Sequence, residues 1–560
     1  MPGNDVGASS HSTAAAASLR WGIYWLLIAA AVGQVSGRLL ATNSIDRLAY
    51  DNARIQAEYE KSRAKYVGEG ATGEALAEKL KRRRAELESR LRLDRPFLSS
   101  NDRSRWLTVR ALVEYHTFEI DKIVTDPQQA RQWDTIDMIK HPGWDGKGWK
   151  GEGRLYSSKP PLLATIIAGP YWVIYHTTGL SLRDDPHTVG RILLFLFNVI
   201  PLAIYFWLLA GICERYGTTD YGRLLVMATA AFGTFLTTFA VTLNNHLHAA
   251  IFVIAALAAA LPIWFEGRRQ WRYFAIAGFC AAMAVACELP ALSFCVAIGL
   301  AAFWKAPRRA LLGFLPPALL VGAAHLGTNY LSHGTIEPPY GMRDFSKDDQ
   351  GNTKDWTNGN WYNYDYYVGT GDKKVKKQSY WSRDEAALAR RSAIDRGEAS
   401  RATYALHALV GHHGIFSLTP VWLLSVCGAM MMICRGRFQS VAPRDESMSQ
   451  RAEQGISLRS LGLLVAAISI VCIGFYIGQG TENRNYGGGT SGLRWAFWLT
   501  PLWLIAMLPA ADWIGGRRWA RFLAALLLAL SALSASYPIW NPWSHPWIYQ
   551  WMVHLGWLTP

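Results

Sequence analysis

The polar segment 99–106 holds the first candidate for acid–base chemistry in the chain. It reads Ser-Ser-Asn-Asp-Arg-Ser-Arg-Trp, and a helical pattern of apolar residues follows it at Val109, Leu112 and Val113. Asp102 would then lie in the first turn of that helix. A carboxylate in this position can act as a general base, or it can simply cap the helix. The spacing alone leaves both roles open.

A second polar group precedes an apolar segment further along the chain. Tyr156 and Lys159 stand in the sequence Tyr-Ser-Ser-Lys-Pro-Pro-Leu, which leads into an apolar helix predicted over residues 160–176. The tyrosine and the lysine thus stand where the predicted surface helix begins, and they are candidate substrate-binding residues.

Two short turns between apolar stretches supply further candidates. Glu288 lies at such a turn, and an ionised group at mid-bilayer costs about 2.5–3.5 kcal/mol unless it faces a cavity or a partner. It is the second candidate catalytic residue, although it could equally be a turn residue in the headgroup layer. Asn245, His246 and His248 form the other turn. Their imidazoles could bind phosphate or metal, or serve as structural groups.

The remaining candidates lie beside aromatic and glycine-rich loops. Residues 355–367 mix Trp, Tyr and Asn, which suits either sugar recognition or an aromatic belt or plain packing. His412 precedes an apolar span, and Arg484 and Arg494 flank a Gly-Gly-Gly run at 487–489. Arg494 could bind a phosphate or snorkel to the interface. The glycine run lacks the lysine and the strand–helix context of a nucleotide-binding loop.

Long apolar stretches separate these polar groups and decide the fold class. Hydrophobic residues make up 51% of the chain, yet the mean hydropathy is only +0.06, so apolar spans must alternate with polar segments. A helix of about 20 apolar residues crosses about 30 Å of hydrocarbon. The sequence predicts an all-α polytopic membrane protein with about eleven transmembrane helices. They are expected at residues 21–40, 189–212, 223–242, 246–264, 272–287, 290–304, 309–331, 415–434, 460–478, 494–512 and 519–537.

The basic residues predict the orientation of these helices. Arginine and lysine collect in alternate connections, which should be cytoplasmic. The amino terminus should then lie inside and the carboxyl terminus outside. Residues 160–176 are apolar as well, but a crossing there would place every basic cluster outside. An interfacial or re-entrant helix is therefore expected at 160–176.

The same patterns divide the chain into regions. The first helix should be retained rather than cleaved as a signal peptide, because no clear small-x-small site follows it. The predicted regions are a disordered cytoplasmic tail at 1–20, the first transmembrane helix at 21–40, a first external region at 41–188, transmembrane helices 2–7 at 189–331, a second external domain at 332–414, transmembrane helices 8–11 at 415–537 and an external tail at 538–560. Within the first external region we expect a charged helical arm at 45–95, a catalytic-type loop at 96–160 and the interfacial helix.

Charge and cysteine content exclude two classes of protein. The formal net charge is +15, but the arginines fall in short clusters between apolar spans, so membrane orientation explains them better than nucleic acid. All seven cysteines lie in or beside apolar stretches, which does not suit a disulfide framework or a zinc knuckle. A divalent metal cofactor is neither required nor identified by these residues.

Asp102 in the first external region, followed by Lys159-Pro-Pro-Leu before a surface helix, resembles the GT-C glycosyltransferases. Within that superfamily the chain is most similar to the protein O-mannosyltransferases and the bacterial lipid A aminoarabinose transferases, over residues 95–310 above all. The resemblance implies a GT-C-like architecture, a dolichyl- or undecaprenyl-phosphate sugar donor, and inverting transfer outside the cytoplasm. Asp102 matches the base and Lys159 the lysine of the Lys-Pro-Pro motif. Arg103 stands where many relatives have a second acidic residue, and the arm at 45–95 is an insertion.

These observations favour a hexosyl- or pentosyltransferase in an inner or plasma membrane. Its partners would be a polyprenyl-phosphate sugar, membrane lipids and an exported protein, lipid or glycan, with no role for nucleic acid. The main alternative is a transporter or flippase for a lipid-linked or anionic substrate, and a non-catalytic scaffold is a third. Transporters often contain inverted repeats. No internal repeat is visible here, and the polar residues gather at the predicted external ends.

Overall fold

The computed structural model describes residues 5–41, 47–91, 96–144, 149–347, 351–392, 394–435, 448–538 and 541–558. These ranges are mainly helical and also contain two small antiparallel sheets. Part of the basic connection predicted at 435–459 lies outside the described residues, including Arg437 and Arg444.

The amino-terminal helices extend further than the sequence predicted. α1 (Asp5–Ala41) begins inside the stretch expected to be a disordered tail, where a run of alanines favours helix. α2 (Arg47–Gly68) and α3 (Gly73–Leu91) pack side by side in the charged arm. A hydrogen bond of 3.1 Å from Arg83 Nε to Ser62 Oγ shows that the two helices are antiparallel.

The first polar region corrects the all-α prediction. It holds α4 (Ser100–Glu114), α5 (Asp121–Val124), α6 (Ala130–Trp133), strands β1 (Met138–Trp144) and β2 (Trp149–Ser157), and α7 (Pro161–Thr178). The two strands pair antiparallel, with Ile139 opposite Tyr156. Such cross-strand apolar pairs stabilise short strands. Strands of 7 and 9 residues give a weaker sequence signal than apolar spans of about 20 residues.

The central part of the chain is a series of packed apolar helices. They are α8 (Pro186–Leu194), which continues through a π-helical turn into α9 (Ile200–Tyr216), then α10 (Asp220–Phe232), α11 (Phe235–Phe239), α12 (Asn245–Phe265), α13 (Trp271–Cys287), α14 (Leu292–Lys305), α15 (Pro307–Arg309) and α16 (Leu315–His333). The α12–α13 and α13–α16 pairs are among the most extensively packed in the chain.

The second polar region again mixes strand and helix. It contains β3 (Asp365–Val368), which pairs antiparallel with β4 (Val375–Gln378), followed by α17 (Glu385–Arg390), α18 (Arg401–Leu409) and α19 (Ile415–Leu418). The last helices are α20 (Trp422–Arg435), α21 (Met448–Ile477), α22 (Thr500–Gly515), α23 (Arg518–Ser536) and α24 (Trp547–His554).

Eight helices of the described residues are long and apolar enough to cross a membrane. Three shorter apolar helices lie at Trp271–Cys287, Leu289–Lys305 and Trp422–Cys434. Their length and composition make the chain a multi-pass, mainly helical membrane protein. The count of eleven spans stays a prediction.

Contacts of α1 define the two ends of the helix bundle. Near its start, Arg20 lies 2.8 Å from carboxylate oxygens of Glu214 and Asp220, next to the basic connections after α9 and α12. Near its other end, Arg38 contacts the carbonyl oxygens of Thr237 and Thr238 at 3.4 Å. We call these the arginine-rich end and the polar-loop end.

α7 begins at the polar-loop end of the bundle. It begins after Lys159 and packs along α4, where Tyr171 donates a hydrogen bond of 2.6 Å to Glu114. The next helix, α8, starts at the same end, because Arg191 Nε donates to the Leu39 carbonyl of α1 at 3.0 Å. The interfacial position of α7 stays a prediction.

Candidate functional site

The first turn of α4 presents Asp102 to the turn before α12. Ser99 is the N-cap, since its Oγ accepts from the Asn101 amide at 3.0 Å, so Asp102 is free of the capping role. Asp102 Oδ1 instead accepts from Trp106 Nε1 at 2.9 Å and from the Leu243 amide at 3.0 Å. Its Oδ2 is buried and has no hydrogen-bond partner among the described residues.

Burial changes the acid–base behaviour of Asp102. Only 1% of the residue is exposed, and this desolvation raises the pKa of its carboxyl to about 7 against the opposing effects of Leu243, Arg105 and Trp106. A carboxyl group with a pKa near neutrality exchanges protons readily at physiological pH. The site therefore contains a group suited to general-base chemistry.

Arg105 lies one turn further along α4 and connects this helix to α12. Its Nε donates to Asn245 Oδ1 at 2.8 Å, and its Nη1 donates to the carbonyl and side-chain oxygens of Asn101 at 2.8 and 2.6 Å. Asn245 in turn donates to the Cys287 carbonyl at 2.9 Å. The sequence analysis did not select Arg105, although its spacing of four from Asn101 places both on one helix face.

Arg494 reaches the same asparagine from the other side. Its Nη1 lies 3.3 Å from Asn101 Oδ1 and 3.2 Å from His246 Nε2, and its Nη2 donates to the Gly487 carbonyl at 2.7 Å. Gly487 has a φ of 99°, and a Cβ there would lie 2.6 Å from Arg494 Nε. A glycine is therefore needed for this close approach. The guanidinium also lies over the Trp543 ring, 4.8 Å from its centroid.

The two turns that the sequence analysis selected separately meet beside Arg494. His246 Nδ1 lies 2.9 Å from Glu288 Oε1, and the Glu288 side chain is 12% exposed. His246 thus contacts Glu288 with one ring nitrogen and Arg494 with the other. The imidazole therefore lies between the Glu288 carboxylate and the Arg494 guanidinium.

Lys159 forms an ion pair with a residue that the sequence analysis missed. Its Nζ lies 2.7 Å from Asp137 Oδ1, and the two side chains are 7% and 15% exposed. Burial alone would raise the pKa of Asp137, but Lys159, Arg494 and Arg105 outweigh it and hold the pKa below its usual range. Nothing in the sequence around Asp137 indicates this pairing.

These groups form one buried polar cluster at the polar-loop end. Contacts or electrostatic interactions connect its members, which are Asn101, Asp102, Arg105, Asp137, Lys159, Asn245, His246, Glu288 and Arg494. Asp102, Lys159, Glu288 and Arg494 of the predicted site are therefore brought together with the turn at 245–246.

Four other predicted binding residues, Tyr156, His248, His412 and Arg484, lie outside this polar cluster. Tyr156 stacks on His141 at 4.0 Å between ring centroids, and its hydroxyl lies 3.4 Å from Glu119. His248 contacts the carbonyl oxygens of Asn244 and Phe197 at 2.8 and 3.1 Å. Each of these contacts is with the protein itself, and the substrate-binding role of Tyr156 and His248 stays a prediction.

His412 and Arg484 occupy the packing between α18 and the loop after α21. His412 stacks on His407 at 3.9 Å between centroids, and burial lowers its pKa to about 3. Arg484 donates to backbone carbonyls, including that of Ala399 at 3.0 Å. The structure does not bring either side chain to the polar cluster.

The aromatic segment 355–367 serves packing to a large extent. Trp361, Tyr362 and Tyr364 are each less than 10% exposed. Trp361 packs with Ile139 and Tyr156 of the first hairpin. Of the two roles predicted for this segment, these three rings fit packing.

The described residues give this site no metal centre, and comparison with known proteins gives the chain no family. In the described ranges, no group of three or more His, Cys, Asp or Glu side chains is placed to hold a metal ion. No known protein family matches the chain, and no curated protein matches it.

Among solved structures, the chain is similar to the apo form of the oligosaccharyltransferase of Archaeoglobus fulgidus. The two share 11% sequence identity with a TM-score of 0.36, over 82% of this chain and 55% of that chain. The chain thus spans about half the length of that enzyme. The function of the site has to be inferred from its own residues.

Proposed function

We propose that the chain is a membrane glycosyltransferase that moves a sugar from a polyprenyl phosphate to an exported acceptor. The observation that carries this proposal is the pair of buried guanidinium groups of Arg105 and Arg494, which share Asn101. Among the ion pairs of the described residues, neither has a carboxylate within 4.0 Å. Carboxylates act on these guanidinium groups only from beyond that distance, and burying a cation without a direct ionic partner is costly, so this pair is suited to bind an anion.

A phosphate is the anion that fits this arrangement best. Guanidinium groups donate planar pairs of hydrogen bonds that match phosphate oxygens. Arg494 Nε is buried and has no hydrogen-bond partner among the described residues, which leaves a donor for such a ligand. Lys159 lies close enough to interact with the same charge, because it pairs with Asp137, which both arginines influence.

The location of the polar cluster supports a lipid-linked donor. The cluster lies at the polar-loop end, opposite the basic connections that the positive-inside rule assigns to the cytoplasm. We infer that it faces the non-cytoplasmic side. A donor anchored in the bilayer by a polyprenyl chain can carry its phosphate to the ends of the helices there.

The proposed reaction is a direct displacement with inversion. The acceptor hydroxyl oxygen attacks the anomeric carbon, the bond from that carbon to the phosphate oxygen breaks, and the phosphate leaves with the electron pair. Asp102 Oδ2 accepts the hydroxyl proton, and the cations stabilise the departing phosphate. Glu288, which orients His246 against Arg494, is the second candidate for the base.

Arginine variants test this function directly. The protein in lipid nanodiscs is incubated with radiolabelled undecaprenyl- and dolichyl-phosphate hexoses and pentoses and with an extract of cell-envelope proteins, lipids and glycans as acceptors, and release of the polyprenyl phosphate is measured. We expect wild type to turn over at least one donor, and Arg105→Ala/Arg494→Ala to lose at least about 10²-fold in rate. Arg268→Ala at the arginine-rich end is the matched control, since its side chain is 48% exposed. Equal turnover by wild type and the double variant would exclude the proposed phosphate site.

A transporter is the second candidate, and the same preparation distinguishes it. A translocation path requires polar groups across the bilayer. The polar cluster instead lies at one end of the bundle, which favours chemistry at the surface. Movement of the lipid-linked sugar across proteoliposomes without a glycosyl product would favour the transporter.

A further inference from the structure

Asp137 is a buried carboxylate that the reaction described above does not use. It immediately precedes β1 and lies 22 residues before Lys159, to which it is joined by the 2.7 Å ion pair. Its low pKa keeps it ionised at neutral pH. It therefore brings a fixed negative charge next to the ammonium group of Lys159.

Hydrogen bonds from two other segments of the chain hold the backbone at Asp137. Its own carbonyl accepts from Ser104 Oγ at 2.5 Å and from the Ser158 amide at 3.1 Å. Ser104 belongs to α4, which carries Asp102 and Arg105, and Ser158 is the neighbour of Lys159. The position of Asp137 is thus set by the two elements that bear the other charged groups.

The second polar region holds the residues on either side. Trp381 Nε1 donates to the Ile136 carbonyl at 2.8 Å, and the Tyr364 hydroxyl donates to the Met138 carbonyl at 3.0 Å. These donors lie 245 and 226 residues away along the chain. Groups that must bind or react at one place are held by such surrounding contacts.

We propose that Asp137 is a positioning residue that holds the Lys159 ammonium toward the phosphate subsite of Arg105 and Arg494. The second polar region sets its place through Trp381 and Tyr364. Without the carboxylate, Lys159 would be repelled by the two guanidinium groups and would turn toward the rim of the site. This inference rests on the proposed function and assigns Asp137 no role in bond formation.

A double-mutant cycle tests whether Asp137 acts through Lys159. KM and kcat for the lipid-linked donor, and binding of undecaprenyl phosphate by native mass spectrometry, are measured for D137N, K159Q and D137N/K159Q. We expect D137N and K159Q each to raise KM about tenfold with a smaller change in kcat, and the double variant to match K159Q. D137E should recover most of the loss. D184N is the control, because the Asp184 side chain is 74% exposed.

Additive losses in the cycle would overturn the positioning role. Trp381→Phe gives a second test that leaves both charges in place, because it removes only the donor to the Ile136 carbonyl. It should raise KM in wild type and have no effect in the K159Q background, whereas Trp519→Phe, at an exposed position of the arginine-rich end, should change neither. A W381F effect that persists in K159Q would also contradict the proposal.

The outcomes separate this inference from the function on which it rests. If wild type neither binds undecaprenyl phosphate nor turns over any donor, the proposed function fails. If wild type does both and the losses are additive, only the role of Asp137 fails.

Discussion

The two ends of the helix bundle differ in how their charged side chains are paired. At the arginine-rich end, Arg20 contacts both Glu214 and Asp220, and Tyr24 donates a further hydrogen bond of 2.6 Å to Glu214. Asp512 there accepts from the backbone amides of Thr218 and Thr219. Each of these carboxylates is matched by donors from other helices.

The polar-loop end leaves its charges incompletely matched. Arg105 and Arg494 are bound by amide, carbonyl and imidazole groups, and Asp102 Oδ2 has no partner among the described residues. The pairing of these carboxylates at one end joins the helices, whereas the incomplete pairing of Arg494 and Asp102 at the other leaves capacity for a ligand. Substitutions at the two ends should therefore affect different properties.

The largest effect is expected for Asp102→Asn. Asparagine can still accept from the Leu243 amide but cannot take up a proton, and a general base contributes about 10²–10⁴ in rate. Donor turnover should fall by that factor while binding of undecaprenyl phosphate is retained. Turnover equal to that of wild type would remove Asp102 from the reaction, and Glu288→Gln would then be the variant to measure.

The pH dependence should follow from the same carboxyl group. Because the pKa of Asp102 is raised to about 7, the rate should fall about tenfold per pH unit below that value as the base becomes protonated. This decline should be measured in kcat/KM, at donor concentrations well below KM, because that ratio reports the pKa of the free protein. A rate that is constant between pH 5 and 8 would contradict the assignment.

Stability should show the opposite trend for this group. Its folded pKa lies above the usual value of 3.8, so neutral Asp102 contributes stability that is fully present below about pH 4 and is lost as pH rises to about 7. Asp102→Asn should accordingly raise the midpoint of thermal unfolding at pH 8 and change it less at pH 5. A lower midpoint at pH 8 would mean that the carboxylate stabilises the fold.

A substitution at the arginine-rich end should reduce stability without affecting the reaction. Glu214→Gln removes the charge that Arg20 and Tyr24 contact, and loss of such a partner costs about 1–3 kcal/mol. The midpoint of thermal unfolding should fall, while KM and kcat for the donor stay at wild-type values. An equal loss of turnover in the folded protein would show that the two ends are coupled.

The smallest effect is expected at a predicted binding residue outside the polar cluster. Tyr156→Phe keeps the ring stacked on His141 and removes a hydroxyl that contacts Glu119 only at 3.4 Å. Donor turnover should stay within about twofold of wild type. A tenfold loss would extend the site to the β1–β2 hairpin.

The apolar helices could be predicted because their signal is local. A stretch of about 20 apolar residues is sufficient to identify a span, and basic residues between the stretches orient it. The strands β1 and β2 have no such local signal. Apolar residues such as Ile139 and Tyr156 lie opposite each other only after the two strands have paired. The alanine-rich start of α1 was missed because it lacks apolar periodicity.

The residues of the candidate site also differ in whether a local sequence pattern indicates them. Asp102, Lys159 and Arg494 could be selected from residue type and neighbouring motif. Asp137 could not, because only the β-hairpin returns the chain so that it meets Lys159. Arg105 is connected to the site through its hydrogen bond to Asn245, which is 140 residues away. Long-range pairing of this kind is absent from any local pattern.

One turn of α4 carries several of the charged and polar groups, which makes the site sensitive to helical phase. Asn101 and Arg105 share one face, while Asp102 and Trp106 share the adjacent face toward Leu243. Each added residue rotates the following helix by about 100°. A single alanine inserted between Asp102 and Arg105 would therefore point the guanidinium away from Asn245 while leaving the overall composition almost unchanged.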